Sequence, residues 1–253
     1  MPDFSLGGKT ALVTGSSRGL GRAFATGLAE AGAKVILNGI NPDRLEATRA
    51  ELAALGHDVQ ACAFDVTCED QVMAAFEALD AQGVAVDILV NNAGIQHRQP
   101  LLDLALADWT RVLETNLTAA FLCGREAARR MGPRGGGKII NIGSLMSQLA
   151  RATVAPYTVA KGGIRMLTQS MAAEWAGANI QANAIGPGYM ITDMTQALQE
   201  DPAFDGFVRG RAPAGRWGRP EELQGALVFL ASSASDYVNG QILYVDGGMT
   251  AVL

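Results

Sequence analysis

Thr10-Ala11-Leu12-Val13-Thr14-Gly15-Ser16-Ser17-Arg18-Gly19-Leu20-Gly21 is the stretch that decides how the rest of this chain is read. Residues 10–14 are short, apolar and β-branched at both ends, the composition of a buried strand. Glycines follow at 15, 19 and 21, and Arg22 to Ala31 then reads as a helix. Strand, glycine loop and helix start are what the pyrophosphate of a dinucleotide requires. Glycines let the backbone come close, and a helix N-terminus offers free N–H groups and the positive end of its dipole. The spacing is Gly-x-x-x-Gly-x-Gly, not the commoner Gly-x-Gly-x-x-Gly, and a tight strand-to-helix turn alone would also carry it.

Outward from this stretch the chain alternates. Strands are expected at 10–14, 34–38, 59–64, 86–90, 138–143, 180–185 and 241–245. Helices are expected near 19–31, 42–55, 69–82, 107–131, 156–176 and 220–231. Such alternation predicts an α/β fold, with a parallel sheet covered by helices on both faces. No linker, repeat or low-complexity tract divides the 253 residues, so 1–253 reads as a single domain. Arg134-Gly135-Gly136-Gly137 is a turn feeding a strand. The segment from Met190 to Arg216, with Pro202, Gly206, Gly210, Pro213 and Gly215, reads as short helices and loops.

Three further stretches carry chemistry. Val86 to Val90 reads as a buried strand that ends in Asn91-Asn92-Ala93-Gly94. The amides can tie strands together and the small residues leave room for a ligand; a polar strand end accounts for them equally well. Gly137 to Ile142 runs into Gly143-Ser144, which places a hydroxyl at a strand's carboxyl end, where open α/β sheets bind ligands. Tyr157 and Lys161 lie four apart on an expected helix and therefore share a face. A phenol of pKa near 10 is a poor acid at neutral pH. An ammonium beside it is expected to lower that value and to make it a usable proton donor and acceptor. Read alone, the pair also fits a solvated helix face.

Composition sets bounds. Apolar residues make up 49% of the chain, and 30 glycines suit an enzyme with many tight turns. A formal charge of −5 argues against a nucleic-acid surface. Cys62, Cys68 and Cys123 lack C-x-x-C spacing and suit a reducing cytosol, so a cytoplasmic location is expected. His57 and His97 form no metal-ligand pattern. No basic leader with an apolar segment opens the chain, and no apolar run is long enough to span a membrane.

Taken together, Thr14-Gly15-x-x-x-Gly19-x-Gly21, Asp65-Val66, Asn91-Asn92-Ala93-Gly94, Asn116, Ser144, Tyr157-x-x-x-Lys161, Pro187-Gly188 and Val245-Asp246-Gly247-Gly248 resemble the short-chain dehydrogenase/reductase family over nearly the whole chain. The resemblance implies a Rossmann-like, doubly wound sheet of seven parallel strands. It makes Tyr157 the general acid for reduction and the base for oxidation, and has Lys161 bond the nicotinamide ribose. Ser144 would hold the substrate oxygen. Asn116 would hold a water for a proton relay; read alone, it is a polar residue inside a helix. The cofactor would lie against Gly15, Ser17, Arg18, Gly19, Leu20, Gly21, Asn38, Asp65, Val66, Asn92, Ala93, Gly94, Tyr157, Lys161, Pro187, Gly188 and Thr192. Asp65 could instead cap the helix that follows it. Residues 190–216 would form a lid over the site.

Cofactor choice departs from the usual pattern. Members that prefer NAD usually place an acid at the end of the second strand, to bond the ribose 2′-OH. Here the strand ends Leu37-Asn38-Gly39-Ile40, with no carboxylate at Gly39 and no arginine at Ile40. Arg18 matches a position that pairs with a 2′-phosphate, although a solvated loop charge reads as well. NADP(H) is therefore favoured, with NAD(H) use open.

Several stretches are similar to one subgroup, the gluconate 5-dehydrogenases or 5-keto-D-gluconate reductases: Asn91 to Gln96, Pro187-Gly188-Tyr189, Thr192 to Thr195, Arg216-Trp217-Gly218 and Ser235 to Gly240. A sugar acid needs a cation and hydroxyl partners. Arg98 could take the carboxylate, or be a surface charge; Gln96, Gln148 and Tyr189 could bond hydroxyls, with Ser144 and Tyr157 at the reacting carbon. The chain departs from the subgroup at His97, where arginine is usual, at Met146, where glutamine is common, and at Gln148, where glutamate is common.

Two other functions stand beside this one. A 3-oxoacyl-acyl-carrier-protein reductase or other carbonyl reductase would need a basic surface for its carrier, and Arg125, Arg129 and Arg130 form a helical cluster. A non-catalytic dinucleotide sensor is disfavoured by the intact Asn116, Ser144, Tyr157 and Lys161. The resemblance also implies a homotetramer or homodimer, packed through helices 107–131 and 156–176 and the last strand. The apolar ending from Met249 to Leu253 suits a buried C-terminus.

Overall fold

A computed structural model describes residues 3–252. Its frame is a seven-stranded sheet in the order β3-β2-β1-β4-β5-β6-β7, with every neighbouring pair parallel. The strands are β1 Thr10–Val13, β2 Lys34–Gly39, β3 Val59–Ala63, β4 Ile88–Asn91, β5 Gly137–Ile142, β6 Ile180–Pro187 and β7 Ile242–Val245. All seven expected strands are present, with ends moved by one or two residues.

β1 shows why the sheet is covered on both sides. Its Ala11 and Val13 pack with Phe24, Leu28 and Leu227 on one face, while Leu12 packs with Phe76, Leu89 and Leu122 on the other. Successive strand residues point to opposite faces, so a wholly apolar strand demands two covering layers. One layer uses α1 Gly19–Glu30, α2 Pro42–Ala54 and α9 Gln224–Ala231. The other uses α3 Glu69–Ala81, α5 Ala119–Met131 and α6 Ala155–Trp175.

The helix expected over 107–131 is not one helix. It consists of α4 Leu106–Leu113 and α5, joined by a π-turn at Glu114–Thr118. Asn116 sits inside that turn, and its amide donates to the carbonyls of Val112 and Ile95, both at 2.9 Å. A side chain that ties the helix to a neighbouring loop stabilises the widened turn. Likewise the expected helix over 220–231 begins as a 3-10 turn, Pro220–Leu223, before α9.

Residues 190–216 hold a 3-10 turn at Asp193–Thr195, the short α7 Gln196–Gln199 and α8 Pro202–Arg211. Val208, Ala212 and Trp217 bury against Leu145 and Met249, a small core separate from the two sheet layers. Met249 is thus buried as expected, but Ala251 and Val252 are exposed in the single chain, and Leu253 lies outside the described residues.

Candidate active site

The strand order reverses between β1 and β4, which opens a crevice at the carboxyl ends of the strands. Gly15, Asn92, Ser144 and Gly188 all stand at that end. The first half of the crevice is built from the glycine loop. A Cβ on Gly21 would lie 2.3 Å from the Gly15 carbonyl oxygen, so only glycine lets the loop fold down onto β1. Gly15 has φ +62°, and a Cβ there would meet the Ala93 backbone at 2.9 Å. The α1 N-terminus receives no side-chain cap from Arg18, so its first N–H groups face the crevice. An uncapped helix start under a glycine cradle fits a dinucleotide pyrophosphate.

The polar side chains of this half are bonded within the protein, mostly to backbone groups. Asn38 is buried; its Oδ1 accepts from Gly15 N–H at 3.2 Å and its Nδ2 donates to the Cys62 and Phe64 carbonyls. Its amide fixes the glycine loop and spends both donors on the protein, so contact between Asn38 and a cofactor would fall to its oxygen or its backbone. Asn92 donates to the carbonyls of Thr14 and Gly15. Asp65 accepts from the Thr67 N–H and hydroxyl, an Asx turn ahead of α3, whose N-cap is Cys68. Val66 is buried in the core beneath. Ser17 stands beside Gly39, Ile40 is 70% exposed, and Arg18 lies 3.6 Å from Asp193 across the crevice. Thr192 caps the 3-10 turn that carries Asp193.

The second half centres on α6. Tyr157 lies in its first turn and Lys161 one turn later, with the ammonium 5.5 Å from the Tyr157 ring centroid. Lys161 is buried and donates to the Ile142 carbonyl at 2.6 Å. Burial pulls its pKa down to about 8. Burial also pushes the Tyr157 phenol up, while a hydrogen bond with Ser144 pulls it down and Tyr189 nearby pushes it further up. In the free chain burial therefore outweighs the other influences, and the phenol stands above its ordinary value, not below it as expected. The ammonium is held on a carbonyl of β5 over the face of the ring, and Ser144 is the group acting on the hydroxyl. Ser144 itself is fixed by a reciprocal pair of bonds, its Oγ accepting from Met146 N–H and its N–H donating to Ser147. Asn116 has a buried Oδ1 without a partner, a vacant acceptor 2.6 Å from where a Gly94 Cβ would stand.

The residues expected to meet the substrate divide into two groups. Tyr189 is half-buried, edge-on to Phe204 and Trp217. Arg98 and Tyr189 interact, and Arg98 is held below its usual value by burial and by the charge of Arg151. Gln148 is exposed, and the Gln96 amide oxygen accepts from the next N–H in the chain. His97 turns away, toward Gln99 at 3.0 Å and Asp108 at 3.6 Å. The residue missed by sequence reasoning is Arg151. Its signal was a lone basic residue in the largely apolar stretch from Leu145 to Val154, between Ser144 and Tyr157.

A doubly wound sheet with a glycine cradle at its switch point and a serine–tyrosine–lysine cluster beside it defines a dinucleotide-dependent oxidoreductase. The comparisons agree. A family model described as enoyl-(acyl carrier protein) reductase matches residues 15–250. The chain is 48% identical to gluconate 5-dehydrogenase of Gluconobacter oxydans, over all of this chain and 99% of that one. A crystal structure of a candidate gluconate dehydrogenase from Agrobacterium tumefaciens superposes with a TM-score of 0.99 at 66% identity, covering both chains in full. A gluconate 5-dehydrogenase from Burkholderia cenocepacia, in complex with NADP and tartrate, superposes at 0.97 with 48% identity, over 100% of this chain and 99% of that one. The chain belongs to the short-chain dehydrogenase/reductase family.

Proposed function

We propose that this enzyme interconverts D-gluconate and 5-keto-D-gluconate with NADP(H). The observation that carries the reading is the Ser144–Tyr157–Lys161 cluster, with Tyr189 close enough to act on it electrostatically and Arg98 close enough to act on Tyr189, in a chain 48% identical to a gluconate 5-dehydrogenase. The nicotinamide supplies or accepts the hydride when bound. Its pyrophosphate would lie on the α1 N-terminus, and Arg18 would face the 2′-phosphate. In reduction, Tyr157 donates its proton to the carbonyl oxygen at C5, and Ser144 hydrogen-bonds that oxygen as charge develops on it. Lys161 and the vacant Oδ1 of Asn116 offer a path by which a proton returns to Tyr157. Arg98 binds the carboxylate, and Tyr189 bonds a hydroxyl. Residues 190–216 act as a lid.

The carrier-protein alternative loses its docking surface. Arg125, Arg129 and Arg130 each pair with a carboxylate, from Glu69, Glu126 and Asp80, so α5 presents no free basic patch. A homotetramer or homodimer is supported by exposed apolar side chains on the elements expected to pack: Phe121 on α5, Val159 and Met166 on α6, and Leu243 on β7. Light scattering that found a monomer would remove this part of the reading. No helix among the described residues is long and apolar enough to cross a membrane; a cytoplasmic location is proposed on the three free cysteines, which suit a reducing compartment.

The deciding experiment follows loss of reduced-nicotinamide absorbance with 5-keto-D-gluconate and NADPH or NADH. Faster NADPH oxidation is expected. Faster NADH oxidation would keep the substrate and overturn the cofactor. Turnover of a simple diketone but not of 5-keto-D-gluconate would overturn the substrate and leave the catalytic cluster intact.

A further inference from the structure

Arg151 has surroundings that call for an anion. Its Nε is buried without a hydrogen-bond partner, and its guanidinium lies 4.9 Å from the centroid of the Phe204 ring on α8. Among the described residues neither Arg151 nor Arg98 has a carboxylate within ion-pair distance, whereas thirteen such pairs join other side chains. The two arginines come from different loops, one after β4 and one ahead of α6. The Gln99 N–H donates to the Thr153 carbonyl at 2.9 Å and locks those loops together. Thr153 has φ +68°, a left-handed conformation that a β-branched residue avoids unless its surroundings impose it. The charges of both arginines reach Tyr189, which in turn acts on Tyr157. Phe204, beneath Arg151, is edge-on to Tyr189 at 5.4 Å, so two unpaired guanidiniums gather on the Tyr189 side of the site. A buried N–H without an acceptor is unfavourable, and a carboxylate offers two oxygens to a planar guanidinium.

We infer that Arg151 is a specificity-determining residue, which forms with Arg98 a two-arginine seat for the substrate's carboxylate and is held in position by Phe204. This rests on the sugar-acid reading above and names the residue that enforces it. Phe204 holds the guanidinium by a cation–π contact that uses none of its N–H groups, so those donors stay available to an anion.

The test compares 5-keto-D-gluconate with L-sorbose, the same keto chain with a hydroxymethyl group in place of the carboxylate. Wild-type enzyme should prefer the acid. Arg151→Met should lower kcat/KM for the acid by about 30-fold, mainly through KM, and leave L-sorbose within about twofold. Arg151→Lys, which keeps the charge but loses the planar fork, should fall between. An equal loss on both substrates, or no loss on the acid, would overturn the inference. Calorimetry then separates it from the proposed reaction. Enzyme loaded with NADPH is titrated with D-gluconate or with neutral D-glucitol; both partners are reduced, so nothing reacts. Arg151→Met should weaken gluconate alone. That result in an enzyme that fails to reduce 5-keto-D-gluconate would sink the reaction and keep the seat. Gluconate binding unchanged by the substitution would sink the seat whatever the turnover.

Discussion

The two halves of the crevice treat their polar atoms in opposite ways. On the glycine-loop side, Asn38, Asn92 and Asp65 are hydrogen-bonded within the protein, to Gly15, Thr14, Cys62, Phe64 and Thr67. What remains for a ligand is mostly backbone, an uncapped helix start, the exposed Arg18 and the second carboxylate oxygen of Asp65. On the α6 side, side chains with unmet needs gather: Asn116 Oδ1, Arg151 Nε, and a buried Lys161 whose charge burial opposes. A backbone cradle is set by strand order and glycine positions and suits a cofactor used unchanged. Side chains with vacant donors and acceptors suit a proton transfer and one chosen substrate.

The strongest way to break this contrast is Tyr157→Phe. It should lower kcat by about 10²- to 10⁴-fold, the range of general acid catalysis, with NADPH affinity unchanged. A parallel loss of NADPH binding would show that the halves are not separable. Next is Asn38→Leu, which leaves Gly15 N–H and two carbonyls without partners. It should cost about 4 kcal/mol in urea unfolding. Gln148→Ala, exposed and unpartnered, should move the same measurement by less than about 0.5 kcal/mol. Equal effects would erase the distinction between a bonded and a waiting side chain.

Lys161 sharpens the contrast through pH. Its folded value of about 8 lies below the unfolded lysine value, so the unfolded chain binds more protons between them. The contribution of Lys161 to stability is therefore full above the unfolded value and is lost as pH falls through about 8. From pH 7.5 to 10, wild-type enzyme should gain about 2 kcal/mol relative to Lys161→Met. Parallel pH curves would mean that Lys161 is charged and solvated in the folded chain. The smallest effect belongs to Asp193→Asn. The Arg18–Asp193 pair is exposed, so its loss should change stability by less than about 1 kcal/mol. It should leave KM for NADPH the same or slightly lower, because Arg18 loses a competitor; a large rise would make Asp193 part of the cofactor site.

The contrast also explains what could be read from the sequence. Backbone features leave periodic traces. β1 alternates between two cores, and glycines fall where a Cβ would strike backbone, so the sheet, the loop and its crevice were legible. The Tyr157–Lys161 face was legible because helix geometry places residues four apart together. What failed depended on contacts distant in sequence. Nothing local shows that Lys161 is held by Ile142, or that Asn38 closes on Phe64. Arg151 acquires meaning only when Gln99 is bonded to Thr153 and Phe204 lies over it. The break in the 107–131 helix was hidden because a π-turn keeps helical composition and alters only the count of residues per turn.

That count has a consequence of its own. The π-turn at 114–118 is in effect one surplus residue in a helical run. Deleting any single residue there would restore an uninterrupted α-helix, and local helix stability would improve. The flanking turns would keep their directions, because the widened turn absorbs the surplus residue, but Asn116 would lose the bulge that carries it to its bond with Ile95. Substitutions in this stretch change one side chain at a time, but a one-codon deletion removes the bulge itself, and with it the tie from the helix to the loop after β4. In this part of the chain length is constrained more tightly than spelling, and among homologous sequences gaps should be rarer across 114–118 than changes of residue.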